Sequence, residues 1–212
     1  MYAPTVQRTF TFEEFLAWDD GSGRSFELRD GVPVPYTEPT ANHEDVADDL
    51  CEMLADHCKA LNLPYIPKRS KQVRVKDNPA TGKEESRKAD IVVFARDEWQ
   101  RMKASPSSAA AYIPPPIVIE VVSSNWRDDY DTKLLEYEEM KIPEYWVVDY
   151  AGLGGVRFIG KPKQPTLTVY QLVDEEYQPQ LFRGDDLIKS DILTDLTITA
   201  NQVFAAGREQ RL

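Results

Sequence analysis

Pro116-Ile117-Val118-Ile119-Glu120-Val121-Val122-Ser123-Ser124 is the stretch that decides the fold. A short apolar run entered from proline and left through serine reads as a buried central strand. Glu120 interrupts it. Upstream, Lys88-Ala89-Asp90-Ile91-Val92-Val93-Phe94 repeats the pattern, a mostly apolar strand broken by Asp90. Carboxylates are seldom buried unless paired, hydrogen-bonded or bound to a metal. Asp90 is expected at the beginning of its strand and Glu120 toward the end of the next. Antiparallel pairing of the two strands would then set the carboxylates side by side. Two hard oxygen donors at one sheet edge suit Mg²⁺ or Mn²⁺.

The segment after Glu120 adds a base. Ser123–Asp129 reads as a loop, and a helix is expected from about Tyr130 to Met140, ended by Pro143. On it Tyr130, Lys133, Leu134 and Tyr137 share a face that should point at the core. A lysine there is out of place unless it meets a carboxylate or a substrate. Asp90, Glu120 and Lys133 are therefore the candidate catalytic residues, with a purely structural ion pair as the competing reading.

Working outward, Thr11-Phe12-Glu13-Glu14 has the form of a capping box opening a short helix to about Trp18. Ser25–Arg29 and Val32–Val34 flank the hairpin signal Asp30-Gly31. A long helix is expected from an Asn42 cap to about Leu61, with Val46, Leu50, Met53, Leu54, Cys58 and Leu61 at helical spacing. It places His43 in its first turn. Gln72–Val75 alternates as a strand, Glu98–Lys103 suggests a turn or two of helix, and Ser105–Ala111 reads as a small-residue loop. Glu144–Asp149 is a further strand. Strands near Val156–Ile159, Thr166–Leu172 and Tyr177–Phe182 look like an antiparallel extension, followed by a short helix near Ala200–Ala206. The order of elements is that of an α/β or α+β domain on a mixed sheet. The 212 residues are expected to form one domain, with a core at about 42–149 and an extension at about 156–206.

Composition narrows the partners. At 42% hydrophobic and 29% charged the chain is ordinary for a globular protein, and no apolar run approaches a membrane-spanning length. Met1-Tyr2-Ala3-Pro4 lacks the features of a signal peptide, so a cytoplasmic location is expected. Cys51 and Cys58, seven apart on one helix face, are read as small hydrophobes rather than a disulfide. The net charge of −11 is unusual for a protein that touches phosphates. It is unevenly spread: Lys68 to Lys88 carries +5 and the remainder −16. Lys68, Arg69, Lys71, Arg74 and Lys88 are thus candidate nucleic-acid contacts, against the alternative of a solvated hairpin.

At this point the motifs resemble a known family. Phe26-Glu27-Leu28-Arg29-Asp30-Gly31, Asn42-His43, Lys88-Ala89-Asp90-Ile91-Val92-Val93, the Pro116–Ser124 stretch, Lys133, Tyr137 and Ile142-Pro143-Glu144-Tyr145-Trp146-Val147-Val148-Asp149 together resemble the Uma family of restriction-endonuclease-like proteins. So do Val169-Tyr170-Gln171-Leu172 and Phe182-Arg183-Gly184-Asp185. The resemblance implies the PD-(D/E)XK nuclease fold, with Asp90 and Glu120 at the two acidic positions and as the metal ligands. Ala89 stands where that pattern usually has proline. Val122 stands where it has lysine, and Lys133 looks like a migrated replacement. Glu27, His43 and Tyr137 fall at family positions that line the site. The function implied is Mg²⁺-dependent (or Mn²⁺-dependent) endonucleolytic hydrolysis of DNA, without a small-molecule cofactor or a membrane partner; apart from the resemblance, the C-terminal strands offer a surface for a homodimer, in a further reading as a protein-interaction module. A non-catalytic nucleic-acid-binding or regulatory module on a nuclease scaffold is the alternative.

Overall fold

The computed structural model describes residues 8–105 and 109–207. The N-terminal stretch Met1-Tyr2-Ala3-Pro4 and the middle of the Ser105–Ala111 loop lie outside the described residues.

Eight strands form one mixed sheet: β1 (Phe26–Arg29), β2 (Val32–Pro35), β3 (Tyr65–Val75), β4 (Glu85–Ala95), β5 (Ile117–Val121), β6 (Glu144–Asp149), β7 (Thr166–Val173) and β8 (Glu176–Phe182). Its path runs β2-β1-β4-β5-β6-β7-β8, with β3 paired to β4 off that path. Only β5 and β6 are parallel; every other ladder is antiparallel. The parallel pair requires a crossover, which the segment containing Lys133 provides.

Helices cover both faces. On one, α2 (Ala41–Ala60) and α6 (Ala200–Ala205) pack Val46, Leu50, Leu54, Val203 and Phe204 against Ile91, Ile119 and Trp146. On the other, a π-helical turn (Asp128–Thr132) runs into α4 (Lys133–Glu139), and Tyr130 and Tyr137 pack on Val92, Val118 and Tyr145. The strands β4 and β5 are buried on both faces, which is why they read as near-continuous apolar runs. A small third cluster joins α1 (Phe12–Ala17) to β1 through Phe12, Phe15 and Leu28. Thr11 and Glu14 close the expected capping box.

Several boundaries differ from the sequence reading. Helix α2 is capped by Thr40, whose hydroxyl accepts the His43 N–H, and not by Asn42. Leu61 is the C-cap and is 47% exposed, so it is not part of the buried face. Strand β3 begins at Tyr65, far earlier than Gln72, because ten paired positions with β4 override the low strand preference of its lysines and arginines. Asp90 consequently lies in the middle of β4, not at its beginning. Val156–Ile159 is a single helical turn, α5, rather than a strand; Gly160 at φ 74° ends it. The expected Tyr130 helix starts with the π turn and becomes α-helical only at Lys133. α3 (Arg96–Lys103) completes the set.

Leu50 is fully buried between α2 and the sheet. Leu50→Ala is expected to lower the unfolding free energy by about 2–5 kcal/mol, seen as a reduced urea midpoint with an unchanged slope.

Candidate active site

The site arises from a fork in the sheet. β3 occupies one whole edge of β4. The other edge is shared: β1 reaches it at Ser86, and β5 pairs with it only from Ile91 to Val93. Between them lies a gap where β4 has no strand partner. Buried backbone groups there need other partners, and side chains supply them. The Lys88 N–H donates to Glu27 Oε1 at 3.1 Å, and the Asp90 N–H to Glu120 Oε2 at 3.4 Å. On β5 the Val121 N–H donates to Asp90 Oδ2 at 2.8 Å, and the Val121 carbonyl accepts from His43 Nε2 at 2.8 Å. A carbonyl can only accept, so the histidine proton sits on Nε2.

The register Ile91↔Ile119 continues to place Asp90 opposite Glu120 on the same face. Glu120, 1% exposed, accepts the Tyr137 hydroxyl at 2.8 Å and holds Lys133 Nζ at 3.1 Å. The π turn aims Lys133 inward, where its ammonium also meets Asp129 at 2.9 Å. His43 Nε2 lies 3.3 Å from Asp90 Oδ2. The structure thus brings Asp90, Glu120, Lys133, His43 and Tyr137 together, with Glu27 on the wall of the same cavity. Glu27 is 4% exposed and bound to Arg29 and to the β4 backbone, so it is no hairpin surface residue.

Opposite Asp90, β3 is distorted. Ser70 leaves the ladder at φ 53°, a sparsely populated conformation for a residue with a side chain, and Arg69 Nε donates to the Asp90 carbonyl at 3.1 Å. A cavity of about 500 Å³ opens onto this centre, with Asp90, Lys133, His43 and Asp129 at its floor and Tyr36 on its rim. Glu120 lies one layer deeper.

Asp129 and Tyr36 were missed in the sequence. Asp129 stands four residues before Lys133, an acid–base spacing that was readable on a helix. Tyr36, whose hydroxyl is 3.5 Å from Asp90 Oδ1, carried no signal, because only the hairpin's folding back brings it there.

The basic segment Lys68–Lys88 is largely neutralised. Arg69 pairs with Glu44 and Asp48 of α2, Arg74 with Asp77 and Glu84, and buried Arg87 with Glu136. Lys68 lies over the Trp99 ring, and Lys88 reaches Ser25 and covers Tyr36. Lys71 makes no salt bridge among the described residues.

Charge at the centre is unbalanced. Three buried carboxylates, Asp90, Glu120 and Asp129, face one lysine and one histidine. Burial drives Glu120 and Asp129 above the usual carboxylate range, and their mutual repulsion with Asp90 adds to it against the pull of Lys133. For Lys133 burial acts downward, but Asp129 and Glu120 outweigh it and hold the ammonium charged well above its ordinary range. Burial likewise acts against ionised Asp90, yet His43 and Lys133 keep it below the usual value. His43 is raised: burial opposes its charge and Asp90 prevails.

A mixed sheet with Lys133 in the crossover between its two parallel strands is the restriction-endonuclease-like fold. Residues 12–201 match the Uma2 family, described as "Putative restriction endonuclease". The chain belongs to that family. It is also similar in structure to a "putative nuclease belonging to DUF820" from Anabaena variabilis, with a TM-score of 0.69 and 15% identity over 94% of this chain and 99% of that one. No protein of curated function matches the chain.

Removing the lysine charge should expose the imbalance. Lys133→Met is expected to destabilise by about 3–5 kcal/mol in urea unfolding, and Glu120→Gln in the same chain to recover part of the loss. For His43, a folded pKa above 6.5 means its stabilisation is complete below that pH and lost as pH rises through the folded value. The melting-temperature advantage of the native chain over His43→Gln should therefore shrink as the buffer passes from acidic to alkaline.

Proposed function

We propose that the protein is a divalent-metal-dependent endonuclease that hydrolyses phosphodiester bonds of DNA, with Asp90, Glu120 and Lys133 as its catalytic residues. The observation that carries this reading is the convergence of those three side chains in the fork between β1 and β5.

The residues present fit Mg²⁺ or Mn²⁺. Among the described residues no three His, Cys, Asp or Glu side chains form a ready-made metal cage. Mg²⁺ does not need one, since it is commonly held by one or two carboxylates together with water and substrate phosphate. Asp90 and Glu120 would hold it, and the excess of buried negative charge favours a cation there. When bound, the ion supplies positive charge to the phosphate and makes water more acidic.

The remaining roles belong to the chain. Lys133, held charged by Asp129 and Glu120, orients the attacking water and stabilises negative charge gathering on the phosphate. Tyr137 fixes one Glu120 oxygen so that the other stays turned toward Lys133 and Asp90. His43 ties α2 to the fork and steadies the Val121 carbonyl. Glu27 caps the β4 backbone and anchors Arg29 on the cavity wall, where the guanidinium can meet a substrate phosphate.

Incubated with single-stranded and plasmid DNA and Mg²⁺ or Mn²⁺, the protein should cut DNA, and EDTA should abolish the products. Asp90→Ala and Lys133→Ala proteins that remain folded should lose about a hundredfold or more in rate. Binding without cleavage at any metal concentration would instead favour the non-catalytic module.

A further inference from the structure

The approach to the site has a chemistry of its own. Asp90 and Lys133 are only 5% and 7% exposed at the floor of the cavity. They are reached through the cavity of about 500 Å³, and duplex DNA is stiff, with a persistence length of about 150 base pairs. A flexible single strand can bend into it; a stiff duplex cannot. The charge balance points the same way. Duplex DNA carries a charge about every 1.7 Å, twice the density of one strand, and this chain bears a net −11.

A line of aromatic rings and cations, begun by rings that also pack against the α1 cluster, ends at Tyr36 on the wall of that cavity. Phe10 meets Trp18 at 5.6 Å between ring centroids, and Trp18 meets Phe26 at 5.0 Å. The Arg24 guanidinium lies 5.6 Å over Phe26. On the neighbouring residue, the Ser25 hydroxyl accepts from Lys88 Nζ at 2.8 Å, and the same ammonium lies 4.7 Å over the Tyr36 ring. Tyr36 then reaches Asp90. All four rings are partly exposed. Partly exposed rings interleaved with cations are the arrangement on which successive bases stack while phosphates are neutralised. Arg24 also pairs with Asp20 at 3.6 Å, but such an exposed pair is weak and yields readily to a phosphate.

On the footing of the nuclease reading, we propose that the substrate is a single-stranded nucleic acid, or a splayed single-stranded segment, drawn to Asp90 along Phe26, Lys88 and Tyr36. Tyr36 is a positioning residue: it stacks the base beside the scissile phosphate and so sets where the strand is cut.

Binding is measured apart from cleavage, by fluorescence anisotropy of labelled oligothymidylate, oligouridylate and a short duplex on Asp90→Asn protein with Mg²⁺. Native protein in EDTA serves as a check on folding. Either single strand should bind about tenfold or more tightly than the duplex. Tyr36→Ala should weaken single-strand binding about five- to a hundredfold, while Tyr36→Phe, which keeps the ring, should retain it. Lys88→Ala should make the salt dependence shallower by about 0.7 in log–log slope. Duplex bound as tightly as single strand, or Tyr36→Ala with native affinity, would overturn the proposal. Single strand held but never cut by native protein would keep the substrate class and remove the nuclease reading. Duplex cut as fast as single strand would do the reverse.

Discussion

The structure depends on an incomplete strand pairing. β4 is long enough to serve two partners on one edge, and β1 and β5 do not meet along it. The peptide groups left between them have no strand partner on that edge. They are satisfied by carboxylates: Glu27 for Lys88, Glu120 for Asp90, and Asp90 for Val121. This backbone requirement thus draws Glu27, Glu120 and Asp90 to one stretch of β4. The same residues complete the sheet and form the candidate reaction centre.

Concentrated negative charge in turn dictates what surrounds it. Lys133 and His43 approach from opposite faces of the sheet, one from the crossover segment and one from the first turn of α2. The π turn matters here, since an extra residue in that turn buries both Asp129 and Tyr130 and still turns Lys133 inward. Even so the acids outnumber the bases. A divalent ion in the cavity would offset the difference. Any metal bound there would link its affinity to fold stability through the same few groups.

The acidic character of the chain has a local logic as well. The exposed side of α2 carries Glu44 and Asp48, which meet Arg69 and thereby steady the distorted part of β3 beside Asp90. The cations of the hairpin are thus occupied in holding the site's outer wall. Arg24 and Lys88 instead lie over the partly exposed rings of Phe26 and Tyr36.

By itself the sequence determined the strands that carry Asp90 and Glu120, the inward face of Lys133 and Tyr137, and the mixed α/β character. Each is a local periodicity violated by a single polar residue, and burial makes such violations legible. The sequence resolved less where pairing decides. The early start of β3, the Thr40 cap and the helical turn at Val156–Ile159 follow from neighbours that local preference does not see. The fork was beyond reach for the same reason. Only the tertiary structure brings Tyr36 and Asp129 to the centre and turns the basic segment inward to its acidic partners, because these contacts join residues whose proximity depends on how the whole sheet closes.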